Sequence, residues 1–244
     1  MACYSGFAYL YDLLMHDVPY ENWVSYIDQV LTKHLGEDRQ SRIVLDMACG
    51  TGNITIPLAQ LGYDMIGVDV SVDMLAQAQA KVDGQRILFL AQDMRDLDLY
   101  GTVDAAICAC DGFNYILDAA QLGDVFKRVR MFLNDGGVFI FDMNTEYKFK
   151  QVLGSKCFVG EADGVSYEWE NSFNAETGIN EYHVTFAPGG DEPFEEVHYQ
   201  RAYAVDMVLD LLKTAGFSTV EVFDGYSEAG LNEKSDRAVF IARP

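Results

Sequence analysis

The sequence predicts an α/β fold: a doubly wound, seven-stranded, mostly parallel sheet with an antiparallel last strand, an N-terminal helical cap and an inserted antiparallel β-meander. Three observations carry this. From Ile43 to residue 142, short apolar runs alternate with helical stretches, the text of a parallel sheet flanked by helices. Residues 43–52, Ile-Val-Leu-Asp-Met-Ala-Cys-Gly-Thr-Gly, run a strand buried on both faces into a sharp glycine turn. Residues 156–204 switch to period-two alternation, and the helical signal then returns at Val205. The expected organisation is a cap over residues 1–35, a sheet domain over 36–150 and 205–244, and the inserted β subdomain over 151–204.

Taken in order, residues 1–35 carry Phe7, Leu10 and Leu14, then Trp23, Ile27, Val30 and Leu31, at helical spacings broken at Pro19, so two helices are expected there. Strand 43–48, helix 53–61, strand 64–69, helix 72–82, strands 86–91 and 103–109, helix 118–133 and strand 136–142 follow. Ser71 is placed to cap the second of these helices, while Gly62, Gly84 and Asp135-Gly136-Gly137 fall after helices, where left-handed caps are wanted. In the meander, Gly164, residues 174–178 and Pro188-Gly189-Gly190 supply the turns. A helix over 205–215 leads to strands near 217–223 and 238–242, an antiparallel edge of the main sheet.

Lys and Arg number 17 against 38 Asp and Glu, a formal charge of −21 that repels polyanions, so neither nucleic acid nor an anionic membrane surface is an expected partner. No apolar run reaches the roughly 18 residues of a membrane span, and the N-terminus lacks a basic region before an apolar core, so a cytoplasmic protein is expected. Cys3, Cys49, Cys108, Cys110 and Cys157 form no CxxC pair, which points to reduced structural thiols and no metal site. A homodimer through the meander stays open, with no apolar stripe that compels it.

The chemistry gathers at the strand ends. A dinucleotide fingerprint from Gly50 and Gly52 would need a small residue at Thr55, where the helix must pack tightly under a pyrophosphate, and that position fails. Asp46 stands before the turn instead. Asp69 closes the second strand 19 residues after Gly50, where a carboxylate accepts both hydrogen bonds of a ribose diol or else caps its own loop. Asp93 ends the third strand, placed to accept from an adenine amine while Met74 and Met94 cover the ring; as a cap and core filler the same residues need no ligand.

Asp46-x-x-x-Gly50-x-Gly52, then Gly67-Val68-Asp69-x-Ser71-x-x-Met74-Leu75, then Asp93-Met94-Arg95-Asp96, resembles the class I S-adenosylmethionine-dependent methyltransferases with their Rossmann-like sheet. The Tyr11-Asp12 pair, the stretch Cys108-Ala109-Cys110-Asp111-Gly112-Phe113-Asn114-Tyr115 and the meander resemble the small-molecule branch with the dTDP-amino-sugar N,N-dimethyltransferases and glycine N-methyltransferase-like enzymes. The resemblance implies S-adenosyl-L-methionine as cofactor. It implies that Ala48, Gly50 and Gly52 face the methionine moiety, Asp46 its ammonium, Asp69 the ribose, Met74, Asp93 and Met94 the adenine, that Ala109 lies beside the sulfonium, and that Val70 is a further cofactor-binding residue. Tyr11 aligns with a tyrosine that reaches the active site of the amino-sugar enzymes.

Methyl transfer is an in-line displacement, so positioning matters more than a strong base and no catalytic dyad is sought. Asp111 or Tyr11 is the candidate for orienting the nucleophile, with Tyr115 beside it. Period two puts His198 and Gln200 on one face and Tyr199 and Arg201 on the other, so one pair at most faces the cleft; His198 and Arg201 are both kept as substrate candidates, with His183 as a further lining residue. Arg95 is expected to pair with Asp93 or Asp96. The leading reading is a methyltransferase of a small-molecule acceptor, N-methylation favoured. A non-catalytic S-adenosylmethionine-binding protein, an NAD-dependent oxidoreductase and methylation of RNA or protein are the alternatives.

Overall fold

A computed structural model describes residues 8–162, 164–188 and 192–244. Cys3, Phe7, Gly189 and Gly190 lie outside the described residues. Helices α1 (Ala8–Leu14) and α2 (Tyr20–Leu35) precede β1 (Ile43–Met47), α3 (Thr55–Gln60), β2 (Asp64–Asp69), α4 (Val72–Lys81), β3 (Ile87–Ala91), β4 (Val103–Cys108), α5 (Ala119–Phe132) and β5 (Leu133–Asn144). The meander is β6 (Cys157–Ala162), β7 (Val165–Asn174), β8 (Ile179–Pro188) and β9 (Phe194–Arg201); α6 (Val205–Ala215), β10 (Thr219–Asp224) and β11 (Arg237–Arg243) end the chain.

The seven-stranded sheet has the order β10-β11-β5-β4-β1-β2-β3, and β6 to β9 form a separate antiparallel sheet in sequence order. Strands β1 to β5 run parallel; β11 lies antiparallel against β5, with Phe240 opposite Phe141. The last two strands form the expected antiparallel edge of the sheet: β11 slots between β5 and β10, and β10 is the outer strand on that side, with β3 at the opposite edge. Alternation splits the core. Met47, Phe139, Phe141 and Phe240 pack under α5 and α6, while Val44, Ile107, Ile140 and Ile241 pack under α2 and α3. Each fully buried side chain of this kind stabilises the fold by roughly 1.5–3 kcal/mol.

Of the two N-terminal helices, α2 lies against the sheet, burying Val24, Ile27, Leu31 and Leu35, whereas α1 stands over the cleft with Leu10 on the meander's Val165, Val184 and Phe186. Ser71 caps α4 as expected, accepting from Met74 N. The Asp135-Gly136-Gly137 cap is corrected: α5 stops at Phe132, and these residues belong to β5, whose pairing with β4 shifts between Val103 and Ala105. A Cβ on Gly137 would lie 2.8 Å from the Asp104 carbonyl oxygen, so the glycine serves close backbone approach at a bulge.

Candidate active site

The strand order reverses between β1 and β4, and there the crevice opens at the carboxyl ends. Three residues other than glycine adopt positive φ among the described residues, Ala48 (54°), Cys110 (62°) and Asp111 (54°), and all sit at this point. Asp142, at the end of β5, holds the second turn: its buried carboxylate accepts from Cys110 N at 2.7 Å, Asp111 N at 3.1 Å and the Tyr226 hydroxyl at 2.6 Å, and it pairs with Arg237. Successive amides curled around one carboxylate stabilise a backbone that would otherwise be strained.

The glycine turn carries the complementary group. Asp46 is 2% exposed and accepts from Thr55 Oγ1 at 2.5 Å; burial, with Asp69's charge added, pushes its carboxyl up to about 7. Thr55 thus replaces the third glycine of a pyrophosphate loop with a hydroxyl that holds Asp46. Asp69 ties the two strand-end turns together, accepting from Gly50 N and Ser71 N, both at 2.8 Å. Burial pushes Asp69 upward, against those two amides. A Cβ on Gly50 would meet nothing within 4 Å: the turn borders a small cavity of about 30 Å³, lined by Asp46, Ala48, Thr51, Asn53, Ala109 and Tyr11 among others. Gly52 adjoins Ile56 and Ala78 instead. Met74 is buried and Met94 half-buried, while Val70 projects outward, 65% exposed. Asp93 is bound on both oxygens by Arg95, with Nη2 to Oδ2 at 2.5 Å and Nε to Oδ1 at 3.0 Å, and it also caps its own short helix. That is the expected partner for Arg95, and it occupies the carboxylate read as meeting an adenine amine.

A second cavity of about 330 Å³ lies above the strand ends, under α1 and the meander. Tyr167 and Trp169 of β7, Tyr182, Val184 and Phe186 of β8, and His198 and Gln200 of β9 face it at period two. Tyr115 and Tyr182 hydroxyls meet at 2.5 Å, and His198 stacks on Tyr182 at 4.9 Å while pairing with Glu196 at 3.4 Å. Arg201 is corrected: period two carries it to the opposite face, where its guanidinium donates to the Leu117 carbonyl at 2.8 Å and covers the Tyr203 ring. His183 is likewise turned away, onto Glu181 at 2.8 Å. Asp111 reaches the cavity with Gln200 Nε2 at 2.6 Å and Arg237 Nη2 at 2.8 Å. Burial alone would raise its pKa, but the charges of Arg237 and Lys148, with these hydrogen bonds, hold it below the ordinary carboxylate value. Tyr11 and Cys110 line both cavities and are the wall between them.

Residues 44–137 match the family model described as a methyltransferase domain. The protein YqeM of Bacillus subtilis (strain 168), whose name assigns it to the methyltransferases, is 35% identical over 98% of this chain and 96% of its own. The crystal structure of an S-adenosylmethionine-dependent methyltransferase from Clostridium acetobutylicum ATCC 824 superposes with a TM-score of 0.87 at 33% identity, covering 99% of both chains. The chain belongs to the class I S-adenosylmethionine-dependent methyltransferases. The sugar N-methyltransferase KedS8 from Streptoalloteichus sp. ATCC 53650 shares the fold, with a TM-score of 0.75 at 22% identity over 96% of this chain and 93% of that one.

As a methyltransferase it uses S-adenosylmethionine, and the glycine turn fits that group. The turn leaves open space beside Gly50, and the adjoining carboxylates of Asp46 and Asp69 suit a cationic ligand with hydroxyl donors. No helix among the described residues is long and apolar enough to cross a membrane. Several site residues escaped the sequence reading. Asp142 carries a signal, an acid at the same strand edge as Asp46 and Asp69. Trp23, Lys148, Tyr226 and Arg237 carry none, since only the folded chain brings them to the cleft, whereas Gln200 comes with His198 as the pair that period two puts on one face.

Proposed function

We propose that this methyltransferase acts on a small molecule held between the strand ends and the meander, with a nitrogen acceptor favoured over oxygen. The observation that supports this is the cavity of about 330 Å³ that shares the Tyr11–Cys110 wall with the glycine-turn pocket. Its volume is at the small end of small-molecule binding sites. S-adenosylmethionine supplies the methyl group as a sulfonium electrophile, and the chain's residues align acceptor and donor and keep water out.

In this reading Asp46 receives the ammonium of the donor, Ala48, Gly50 and Gly52 admit its methionine end, and Asp69 takes the ribose hydroxyls. Met74, Asp93 and Met94 border the adenine, Asp93 through whatever acceptor capacity Arg95 leaves, and Val70 is a further cofactor-side residue next to Asp69. Ala109 flanks the reacting end. Asp111, kept anionic by Arg237, orients a basic nitrogen rather than removing a proton from a hydroxyl, which is what favours N-methylation. Tyr11 shapes the wall between donor and acceptor, and Tyr115 and His198 line the acceptor side. The free thiols Cys49, Cys108, Cys110 and Cys157 suit a reducing, cytoplasmic setting.

The test is transfer of labelled methyl from S-adenosylmethionine into a metabolite extract. Label in small molecules, with turnover cut at least about tenfold in Asp111→Asn and Tyr11→Phe variants that still bind S-adenosylhomocysteine, is the expected result. Label only in protein or RNA overturns it.

A further inference from the structure

The larger cavity holds a cation, Lys148, that the reading above uses only through its charge on Asp111. Lys148 opens a π-helical turn, Lys148–Leu153, four residues after the end of β5, and its half-buried side chain lines the cavity. Two cations line this space. Arg237 is committed to Asp111 and Asp142, whereas Lys148 has no carboxylate within ion-pair distance among the described residues. Among the described residues its ammonium donates to the Asn144 side-chain oxygen at 2.8 Å. An ammonium has three donors, so the bond to Asn144 leaves two, and taking such a group out of water is unfavourable unless something pairs with it. With its oxygen held by Lys148, Asn144 keeps its own Nδ2 as a second donor at the same spot; Asn144 also lines the cavity. Trp169, packed on Phe149 and Leu153 of the same turn, adds a buried indole N–H with no acceptor among the described residues. Donors therefore collect at this end of the cavity, in a chain whose overall charge is −21.

We propose that Lys148 and Asn144 anchor a carboxylate on the methyl acceptor, so that the substrates are small carboxylic acids whose body packs on the aromatic walls. This rests on the small-molecule reading. The walls are Trp23, Tyr115, Tyr167, Tyr182 and Phe186. A single negative charge fits better than a phosphate dianion, because Asp111 stands ionised in the same cavity and repels the second charge. An amine on the same molecule would find Asp111 and a carboxylate would find Lys148, which orients a molecule bearing both.

The test uses phenylacetate, its neutral amide phenylacetamide and phenyl phosphate, with binding followed by NMR on the protein loaded with S-adenosylhomocysteine. Phenylacetate should bind about tenfold more tightly than the amide or the phosphate. Lys148→Met should abolish the preference for the acid over the amide while leaving S-adenosylhomocysteine affinity within about twofold, and Lys148→Arg should restore part of it. Equal affinity for acid and amide, no binding of either, or tighter phenyl phosphate overturns the proposal. Anion-exchange separation of the labelled extract separates the two claims. Label in retained small anions supports both; label in small molecules that flow through overturns the carboxylate anchor alone; label confined to protein or RNA overturns both.

Discussion

The guanidinium of Arg237, in the last strand, donates to the carboxylate of Asp111 at 2.8 Å across 126 positions of sequence. Its other nitrogen holds Asp142, which in turn accepts from the Asp111 amide. One arginine therefore fixes both the charge and the left-handed backbone of the residue that faces the acceptor cavity.

Removing that arginine strands two buried carboxylates. Arg237→Met should lose about 3–5 kcal/mol in urea unfolding at neutral pH, and Arg237→Lys less, since it keeps the charge but not the fork. The sign of the pH dependence follows from Asp111, whose folded pKa is depressed by Arg237 and Lys148 against the effect of burial. Such a group contributes stability above its unfolded value of 3.8, lost as pH falls through the lower folded value. The gap between wild type and Arg237→Met should accordingly narrow below pH about 4.

Asp46 behaves in the opposite sense. Burial first, and Asp69 second, raise its folded pKa to about 7 from 3.8. Its contribution to stability is full below the unfolded value and is lost as pH rises toward 7. The apo protein should lose thermal stability relative to Asp46→Asn over that interval. Binding of a ligand ammonium requires the ionised form, so S-adenosylhomocysteine should bind more tightly as pH rises from about 5.5 to about 7.5. Calorimetry across that range should show the slope in wild type and its absence in Asp46→Asn.

These two carboxylates differ in how far sequence reveals them. Asp46 is legible because its neighbours are local: a strand buried on both faces, the turn at Gly50 and Gly52, and Asp69, 19 residues after Gly50. The same locality makes β2 and α6 readable to the residue. Arg237 is invisible because its role depends on β11 slotting antiparallel beside β5, which puts it opposite Asn144. Period two showed that His198 and Arg201 oppose each other, but not which of them faces inward; packing of the meander on Leu10 of α1 decides that. Lys148 follows a strand whose end lay two residues beyond the alternation pattern, since β5 runs to Asn144.

Two glycines near the turn separate ligand space from packing. A Cβ on Gly67 would lie 2.8 Å from the Phe89 ring and 3.0 Å from Cys49 Sγ, so Gly67→Ala should cost about 1–3 kcal/mol through overpacking. Gly50 has open space around that position but a φ of 53°, so Gly50→Ala should cost about 1–2 kcal/mol from backbone strain alone. Its methyl group enters the small cavity, and S-adenosylhomocysteine affinity should fall at least about tenfold in Gly50→Ala. Denaturant titration alongside calorimetry checks both halves.

Asp12 clamps the seven-residue helix α1 onto that same turn. Its carboxylate accepts from Thr51 Oγ1 at 2.6 Å, Asn53 Nδ2 at 2.8 Å and Lys81 Nζ at 2.7 Å. Burial raises its pKa, but these three donors more than offset that and keep it ionised. The next residue back, Tyr11, stands between the two cavities, so α1 must move if either is to open on that side. The helix is short; Leu10, Leu13 and Leu14 rest it on the meander, and the Asp12 clamp ties it to the glycine turn through charged and polar groups. Asp12→Ala should therefore lower global stability by only about 1 kcal/mol, because the pairs are partly exposed, while speeding release of S-adenosylhomocysteine about tenfold in stopped-flow displacement. Asp12→Asn keeps part of the hydrogen bonding and should fall between. If α1 is instead held by its apolar face, release from Asp12→Ala will match wild type and Leu10→Ala will carry the acceleration.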